Sequence, residues 1–194
     1  MVETSPAPID SNLRITCARQ LQNSLSHIKY QLRVTLRHFS RQPLQDFYRE
    51  VRRGLDEVQY KPSWLPDNNA KVLVGNYNQV IKGLRTFHQD LQKFAMAIEA
   101  MIKDEGEEYK NVKILEEIES YMIQLLCEVE AALISLGCER PYAVQRSIMP
   151  EEDRHPSEET RRLVRDWGIL SKYRTYLTKR RQELLNVIRA RRKH

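Results

Sequence analysis

Four long stretches of the sequence repeat apolar residues at the spacing of an α-helix, and this pattern restricts the possible folds more than any other feature. In the first stretch the apolar residues follow one another in steps of three or four, which places them on one stripe of a helix. Pro43 follows the first stretch as a helix breaker, and Gly137 and Pro141 follow the third. The pattern predicts an all-α protein with helices over approximately residues 11–41, 70–104, 111–136 and 157–191.

The composition favours one helical domain over residues 1–194. With 194 residues the chain is long enough for one well-buried core but hardly for two. Its 6 glycines and 8% aromatic residues are few for tight turns and sheet faces, which disfavours an all-β fold and a glycine-rich nucleotide-binding fold. Because the longest apolar run is only a few residues, against roughly 20 for a membrane-spanning helix, we expect no membrane insertion.

The links between the four predicted helices alternate in length. About 30 residues separate the first two helices, about eight separate the second and third, and about 18 separate the third and fourth. Two long links around a short one are typical of an up-up-down-down bundle, in which each long link runs the length of the bundle. We therefore expect a long-chain four-helix bundle with two crossover loops, since a simple up-down bundle needs neither long link.

Positive charge is concentrated in the last part of the chain. From Arg154 onward there are 13 Lys and Arg against 4 Asp and Glu, whereas the rest of the chain is net acidic. The apolar stripe of the fourth helix is interrupted between Leu177 and Leu184, where only Arg180 and Arg181 are available. Either this end of the helix leaves the bundle or the arginine stems lie along the edge of the core. Both alternatives leave the guanidinium groups exposed, which makes these arginines candidates for binding.

The three cysteines, Cys17, Cys127 and Cys138, lack the spacing of a metal or redox site, and no cofactor is expected. If Cys127 and Cys138 lay on one continuous helix they would be roughly 16 Å apart, too far for a disulfide. A disulfide would therefore involve Cys17. The alternative is three free thiols, two of them buried as small apolar side chains.

Several short motifs, taken in order along the chain, resemble a known group of helical proteins. They are Leu13-Arg-Ile-Thr-Cys17 in the first helix, Trp64 before the second, Leu84-Arg-Thr-Phe-His88 within it, Leu136-Gly-Cys-Glu-Arg-Pro141 closing the third, and Ile169 to Leu184 in the fourth. In this order and spacing the chain resembles the long-chain four-helix cytokines, in particular the group of ciliary neurotrophic factor, leukaemia inhibitory factor and cardiotrophin. The resemblance implies a secreted growth factor that assembles class I cytokine receptor chains and activates their associated kinases.

The resemblance also implies two receptor-binding surfaces. One lies on the second half of the fourth helix and the loop before the second, and its residues are Trp64, Lys179, Arg180 and Glu183. The other lies on the first and third helices, and its residues off the apolar stripe are Gln20, Lys29, Arg33, Glu117 and Glu128. Lys179 and Glu183 are four residues apart, so the alternative is that they pair with each other on one helix face.

One departure from the family lies at the start of the fourth helix. The family carries a Phe-x-x-Lys pair there, and the matching positions in this sequence are Thr160 and Leu163. Trp64 or Trp167 is an alternative aromatic anchor, although Trp167 fits the core stripe. Residues 1–30 contain no apolar signal core. We therefore expect an extracellular protein that is exported by another route or is a mature form, and we expect it to be a monomer.

Three other classes of protein compete with this interpretation. A nucleic-acid binder would use the clusters Lys179 to Arg181 and Arg189 to Lys193, but no reader motif accompanies them, so no nucleic-acid partner is expected. An intracellular helical adaptor or a membrane-surface bundle is the main alternative, because the chain lacks an Asn-x-Ser/Thr acceptor. An enzyme is not expected, because the sequence contains no GxSxG, HExxH, Walker or GxGxxG motif.

Overall fold

The structure is a computed structural model that describes residues 11–39, 60–105 and 110–191. Within these ranges every regular element is helical and no β-strand occurs, which confirms the predicted all-α class. The elements in chain order are α1 (Ser11–Phe39), α2 (Tyr77–Glu105), α3 (Lys110–Ser135), a 3-10 turn (Arg146–Ile148), the short α4 (Glu151–Arg154) and α5 (Glu159–Arg191). The predicted end of the first helix, at residues 40–41, lies outside the described residues.

The second helix begins at Tyr77, seven residues later than predicted. The side chain of Asn76 accepts a hydrogen bond from the backbone N–H of Gln79 at 3.1 Å, and the Gln79 side chain accepts one from the Asn76 N–H at 2.8 Å. This reciprocal cap satisfies two N–H groups that a helix start leaves unpaired. Gly75, immediately before it, has a φ of +83°, which L-residues with a side chain rarely adopt. The apolar residues Val72 and Leu73 therefore belong to an irregular segment rather than to the helix.

The third helix ends as the sequence predicts. Gly137 has a φ of +74°, and the backbone N–H of Cys138 donates to the carbonyl oxygen of Leu133 at 3.0 Å. This hydrogen bond is the one that closes a helix with glycine in the left-handed conformation.

Helix α1 packs against α3 and α5, and α2 packs against the same two helices. Ser24 of α1 is hydrogen-bonded to Ser135 of α3 at 3.2 Å, whereas His38, near the other end of α1, lies 3.2 Å from Glu117. Residue numbers therefore fall along α3 as they rise along α1, so these two helices are antiparallel.

The contacts of α2 likewise give its direction relative to the helix it packs against. On α3, His88 of α2 lies 3.6 Å from Glu130. On α5, Tyr176 lies opposite Asp90, and Arg165 lies opposite Asp104. Since residue 90 faces residue 176 and residue 104 faces residue 165, α2 and α5 are antiparallel.

The core is formed by the apolar stripes of the four long helices together with apolar residues of the segment 60–76. At its centre an aromatic cluster joins α2 and α5, with the Phe94 ring 4.9 Å from that of Tyr173 and 5.4 Å from that of Tyr176. The Tyr176 hydroxyl donates to Asp90 at 2.6 Å, which satisfies a buried polar group. Among the described residues no helix is long and apolar enough to cross a membrane.

Candidate functional site

The first predicted surface centres on Arg180 of α5, and its guanidinium group is completely buried. One nitrogen of Arg180 donates to the carbonyl oxygen of Ala70 at 2.7 Å, and the same nitrogen lies 3.1 Å from a carboxylate oxygen of Glu183. The other Glu183 oxygen accepts the backbone N–H groups of Val72 and Leu73 at 3.2 and 2.9 Å. We call these two side chains the Arg180–Glu183 clasp, because together they hold the irregular segment 60–76 against α5.

Trp64 occupies the same segment and is only 7% exposed. Its indole N–H donates to Asp153 of α4 at 3.0 Å. Four residues later, the amide of Asn68 donates to the backbone carbonyl of Lys172 on α5 at 3.3 Å. These contacts fix the segment to two elements at once, so Trp64 is an internal anchor rather than an exposed one.

The prediction that the Arg180 guanidinium is exposed is therefore wrong, and the predicted surface loses three of its four members to the interior. The segment 60–76 covers this side of α5, and its backbone carbonyl and N–H groups supply the partners that allow a charge to be buried. Glu183 pairs with Arg180, three residues away, and not with Lys179. Lys179 alone stays partly accessible, on the outer side of α5 beside Arg174 and Arg181.

A signal for this outcome is present in the sequence. Arg180 lies three residues after Leu177 and four before Leu184, which is a core position of the helical stripe. This position indicates that the Arg180 side chain faces the bundle, but the helical pattern does not reveal the segment that covers it. At the start of α5, Thr160 is exposed and Leu163 is half-buried.

A second group of buried charges, which the sequence did not reveal, surrounds Arg165 on α5. Arg165 is 2% exposed, and it donates to Asp166 at 2.7 Å and to Asp104 of α2 at 2.7 Å. It also donates to the carbonyl oxygen of Asp153 at 2.9 Å. Burial lowers the pKa of the Arg165 guanidinium, but Asp166 and Asp104 more than offset this effect, so the pKa is raised. The group thus joins α5, α2 and α4 as a charged brace.

The second predicted surface is formed where α1 meets α3. Gln20 and Glu128 line one open groove, and His27 lies 4.0 Å from Glu128. Further along, His38 lies 3.2 Å from Glu117. We call this line of contact the α1–α3 seam; its side chains are Gln20, Ser24, His27, Gln31 and His38 of α1 and Glu117, Gln124, Glu128 and Ser135 of α3.

Lys29 and Arg33 do not join the other three predicted residues. At about 100° per residue, they lie roughly 140–180° around α1 from Ser24 and Gln31, which face α3. The Arg33 guanidinium stacks over the ring of Tyr30 at 5.3 Å, and Tyr30 is 57% exposed. The predicted surface therefore divides into the seam and a separate basic side of α1.

The outer side of α3 presents apolar residues that the sequence reading missed. Ile123 is 48% exposed and Ile134 is 53% exposed, with the exposed thiol of Cys127 between them. Their spacing places all three on one side of the helix, roughly 60–140° around α3 from the seam residues Glu117, Gln124 and Glu128. The signal in the sequence is an isoleucine off the core stripe.

Among the described residues no group of three or more His, Cys, Asp or Glu side chains is placed to hold a metal ion. Comparison of the chain with protein-family models, with curated proteins and with solved structures finds no match.

Proposed function

We propose that this protein is a secreted cytokine or growth factor that binds and assembles class I cytokine receptor chains on the cell surface. It acts as a monomer and without catalysis, by bringing receptor chains together so that their associated kinases are activated. The observation that carries the proposal is the helix pairing, in which α1 and α2 each contact α3 and α5. Of the motifs that resemble the long-chain cytokines, three lie on α1, α2 and α5 in that order, Trp64 lies before α2, and Leu136 to Pro141 follow α3.

The connectivity that we propose is up-up-down-down with two long crossover loops. Its support is the contact direction: α1 is antiparallel to α3, and α2 is antiparallel to α5. Because α2 is also opposite in direction to α3, α1 and α2 point one way and α3 and α5 the other, which is the helix arrangement of an up-up-down-down bundle.

The receptor surface that we propose for a signalling chain is the α1–α3 seam with the outer side of α3. It joins Glu117 and Glu128 to the apolar residues Ile123 and Ile134. An apolar centre with acidic neighbours fits a partner with an apolar patch and a basic rim. For a second receptor chain we propose the outer side of α5 around Lys179, since the other residues first assigned there are internal.

The test is to add the purified full-length protein to cells that express individual class I cytokine receptor chains and to measure phosphorylation of the receptor-associated kinases. We expect phosphorylation that depends on the receptor chain expressed and rises with protein concentration. Protein unfolded by heat is the control, because binding requires the assembled helices. No response across the receptor family would contradict the proposal and would favour an intracellular adaptor.

A further inference from the structure

The register of the α1–α3 seam is uniform from His27 to His38. His27 faces Glu128, Gln31 faces Gln124 and His38 faces Glu117, so each step forward on α1 matches an equal step back on α3. The Gln31 amide is hydrogen-bonded to the Gln124 amide at 3.2 Å, which fixes the register near the middle of the seam. At the end where α3 finishes the pairing is shifted by one helical turn, because Ser24 is hydrogen-bonded to Ser135 and not to residue 131.

Two cysteines lie at this end of the seam. On α1, Cys17, Ser24, Gln31 and His38 recur every seven residues, so all four lie on the side that faces α3. Cys17 lies seven residues before Ser24, and Cys138 lies three residues after Ser135, in the turn that follows α3. The helical spacing therefore directs the Cys17 side chain toward the end of α3.

The turn that ends α3 keeps Cys138 close to the helix. Its N–H donates to the Leu133 carbonyl at 3.0 Å, and its side chain is half-buried against the core. Cys17 is also half-buried. Tyr77, the first residue of α2, lies near both: burial raises the pKa of its hydroxyl, and proximity to the thiols of Cys17 and Cys138 raises it further.

We propose that Cys17 and Cys138, which are free thiols in the structure, form a disulfide that joins the head of α1 to the end of α3. The oxidant is a small disulfide such as glutathione disulfide. One cysteine thiolate attacks it and releases one glutathione; the other then attacks the mixed disulfide and releases the second. The protein loses two protons and two electrons, and glutathione disulfide becomes two glutathione molecules.

The disulfide braces the seam at the end where Gln20 and Ser24 lie. It closes a loop of about 120 residues, and cross-linking a long loop stabilises mainly by restricting the unfolded chain. Such a bond persists in an oxidising compartment and is reduced in the cytosol. Cys127 takes no part, because it lies on the outer side of α3, eleven residues before Cys138. The proposal concerns this chemistry alone and does not depend on receptor binding.

The test uses the full chain with Cys127→Ser, incubated with a glutathione and glutathione disulfide buffer and then analysed by thiol alkylation and peptide mass mapping. We expect both remaining thiols to disappear and one peptide pair linked through Cys17 and Cys138. The oxidised protein should melt about 5–15 °C above its reduced form. Adding Cys17→Ser or Cys138→Ser should abolish this difference.

Two results would overturn the proposal. One is glutathione attached separately to both cysteines, which would mean that the thiols cannot reach each other. The other is a linked peptide pair with no difference in melting temperature between the oxidised and reduced proteins, which would mean that the bond forms only in unfolded chains. Wild-type protein, with Cys127 present, should give the same internal linkage in its monomer fraction.

Discussion

The charged residues of α5 and those of the α1–α3 seam lie on similar helices but have opposite surroundings. On α5, Arg165, Arg180 and Glu183 are buried, and each contacts backbone or side chains of another element. On the seam, His27 and Glu117 are largely exposed, and their contacts join two helices at the surface. Charge is thus structural on one side of the bundle and accessible on the other.

For Arg180 and Glu183, what produces the difference is the irregular segment that lies over α5, whereas Arg165 is held by Asp104 of α2 and Asp153 of α4. The segment 60–76 approaches so closely that a Cβ atom on Gly83 of α2 would collide with the carbonyl oxygen of Val72. Its backbone groups then become the partners of the clasp.

The helices of the seam meet through their own side chains, so Gln31 and His38 are buried at the contact, while His27, Glu117 and Glu128 at its edge remain in contact with water. The comparison shows that whether the charged side chains of a helix can bind a partner depends on which other part of the chain packs over them. The spacing of residues along the helix does not decide it.

The largest expected effect comes from breaking the clasp. Arg180→Ala leaves the Glu183 carboxylate buried without its cation, and we expect the free energy of unfolding to fall by about 3–5 kcal/mol. Chemical denaturation measures this change. Arg181→Ala, one residue on and exposed, is the matched control and should change the free energy by less than about 0.5 kcal/mol. Equal effects of the two substitutions would mean that the clasp is not formed.

A double substitution sharpens this result. Arg180→Met with Glu183→Gln removes both charges but keeps an oxygen that can accept the N–H groups of Val72 and Leu73. Because no unpaired charge is left in the interior, the double variant should be more stable than Arg180→Ala alone. A double variant that is less stable than Arg180→Ala would show that the attraction between Arg180 and Glu183 itself stabilises the fold, and not merely the absence of an unpaired buried charge.

The next effect in size concerns the anchor of the same segment. Trp64→Phe removes the donor to the Asp153 carboxylate, and we expect a loss of about 1.5–3 kcal/mol in the free energy of unfolding. Asp153→Asn keeps an oxygen in place and should cost less. The order of these two variants in denaturation experiments checks the prediction; a larger loss for Asp153→Asn would contradict it.

The helices could be predicted from the sequence because their cores follow a regular spacing. Leu21, Leu25, Ile28 and Leu32 repeat in steps of three or four and are all fully buried. Gly137 ends α3 because only its backbone readily adopts a positive φ. Such features are local, so they can be read without knowing what packs against them.

The candidate site could be predicted only in part, because exposure depends on distant parts of the chain. Arg180 is buried by Ala70, which is 110 residues away in sequence, and no helical pattern reveals that contact. Lys29 and Glu128 were both off the apolar stripe of their helices, but the side of α1 that faces α3 is known only from the packing. A residue that lies off the apolar stripe of its helix can be recognised as polar from the sequence alone. Which of these polar residues come together on one surface depends on how the helices pack.

A smaller change in the free energy of unfolding is expected when the pH is lowered, and it arises from His88 at the contact between α2 and α3. Burial lowers the pKa of His88 from its ordinary value of 6.5, although Glu130 acts in the opposite direction. The unfolded chain therefore binds a proton more readily than the folded one, and stability is lost as the pH falls below about 6.5. We expect wild-type protein to lose more unfolding free energy between pH 7.5 and 5.5 than His88→Gln. A steeper loss in the variant would mean that Glu130 dominates and holds the histidine charged.

The smallest effect on stability, and the sharpest test of the comparison, comes from reversing charge on the accessible side. Glu128→Lys on the seam and Lys29→Glu on the other side of α1 should each change the unfolding free energy by no more than about 0.5 kcal/mol.

If the seam is the receptor surface, Glu128→Lys should abolish kinase phosphorylation, because it places a cation against the basic rim expected of the partner. Lys29→Glu should signal normally, since its position lies away from the seam. The double variant should behave like Glu128→Lys alone. Loss of signalling from Lys29→Glu with Glu128→Lys fully active would instead place the surface on the basic side of α1, and charge on the seam would then be solvated without a partner.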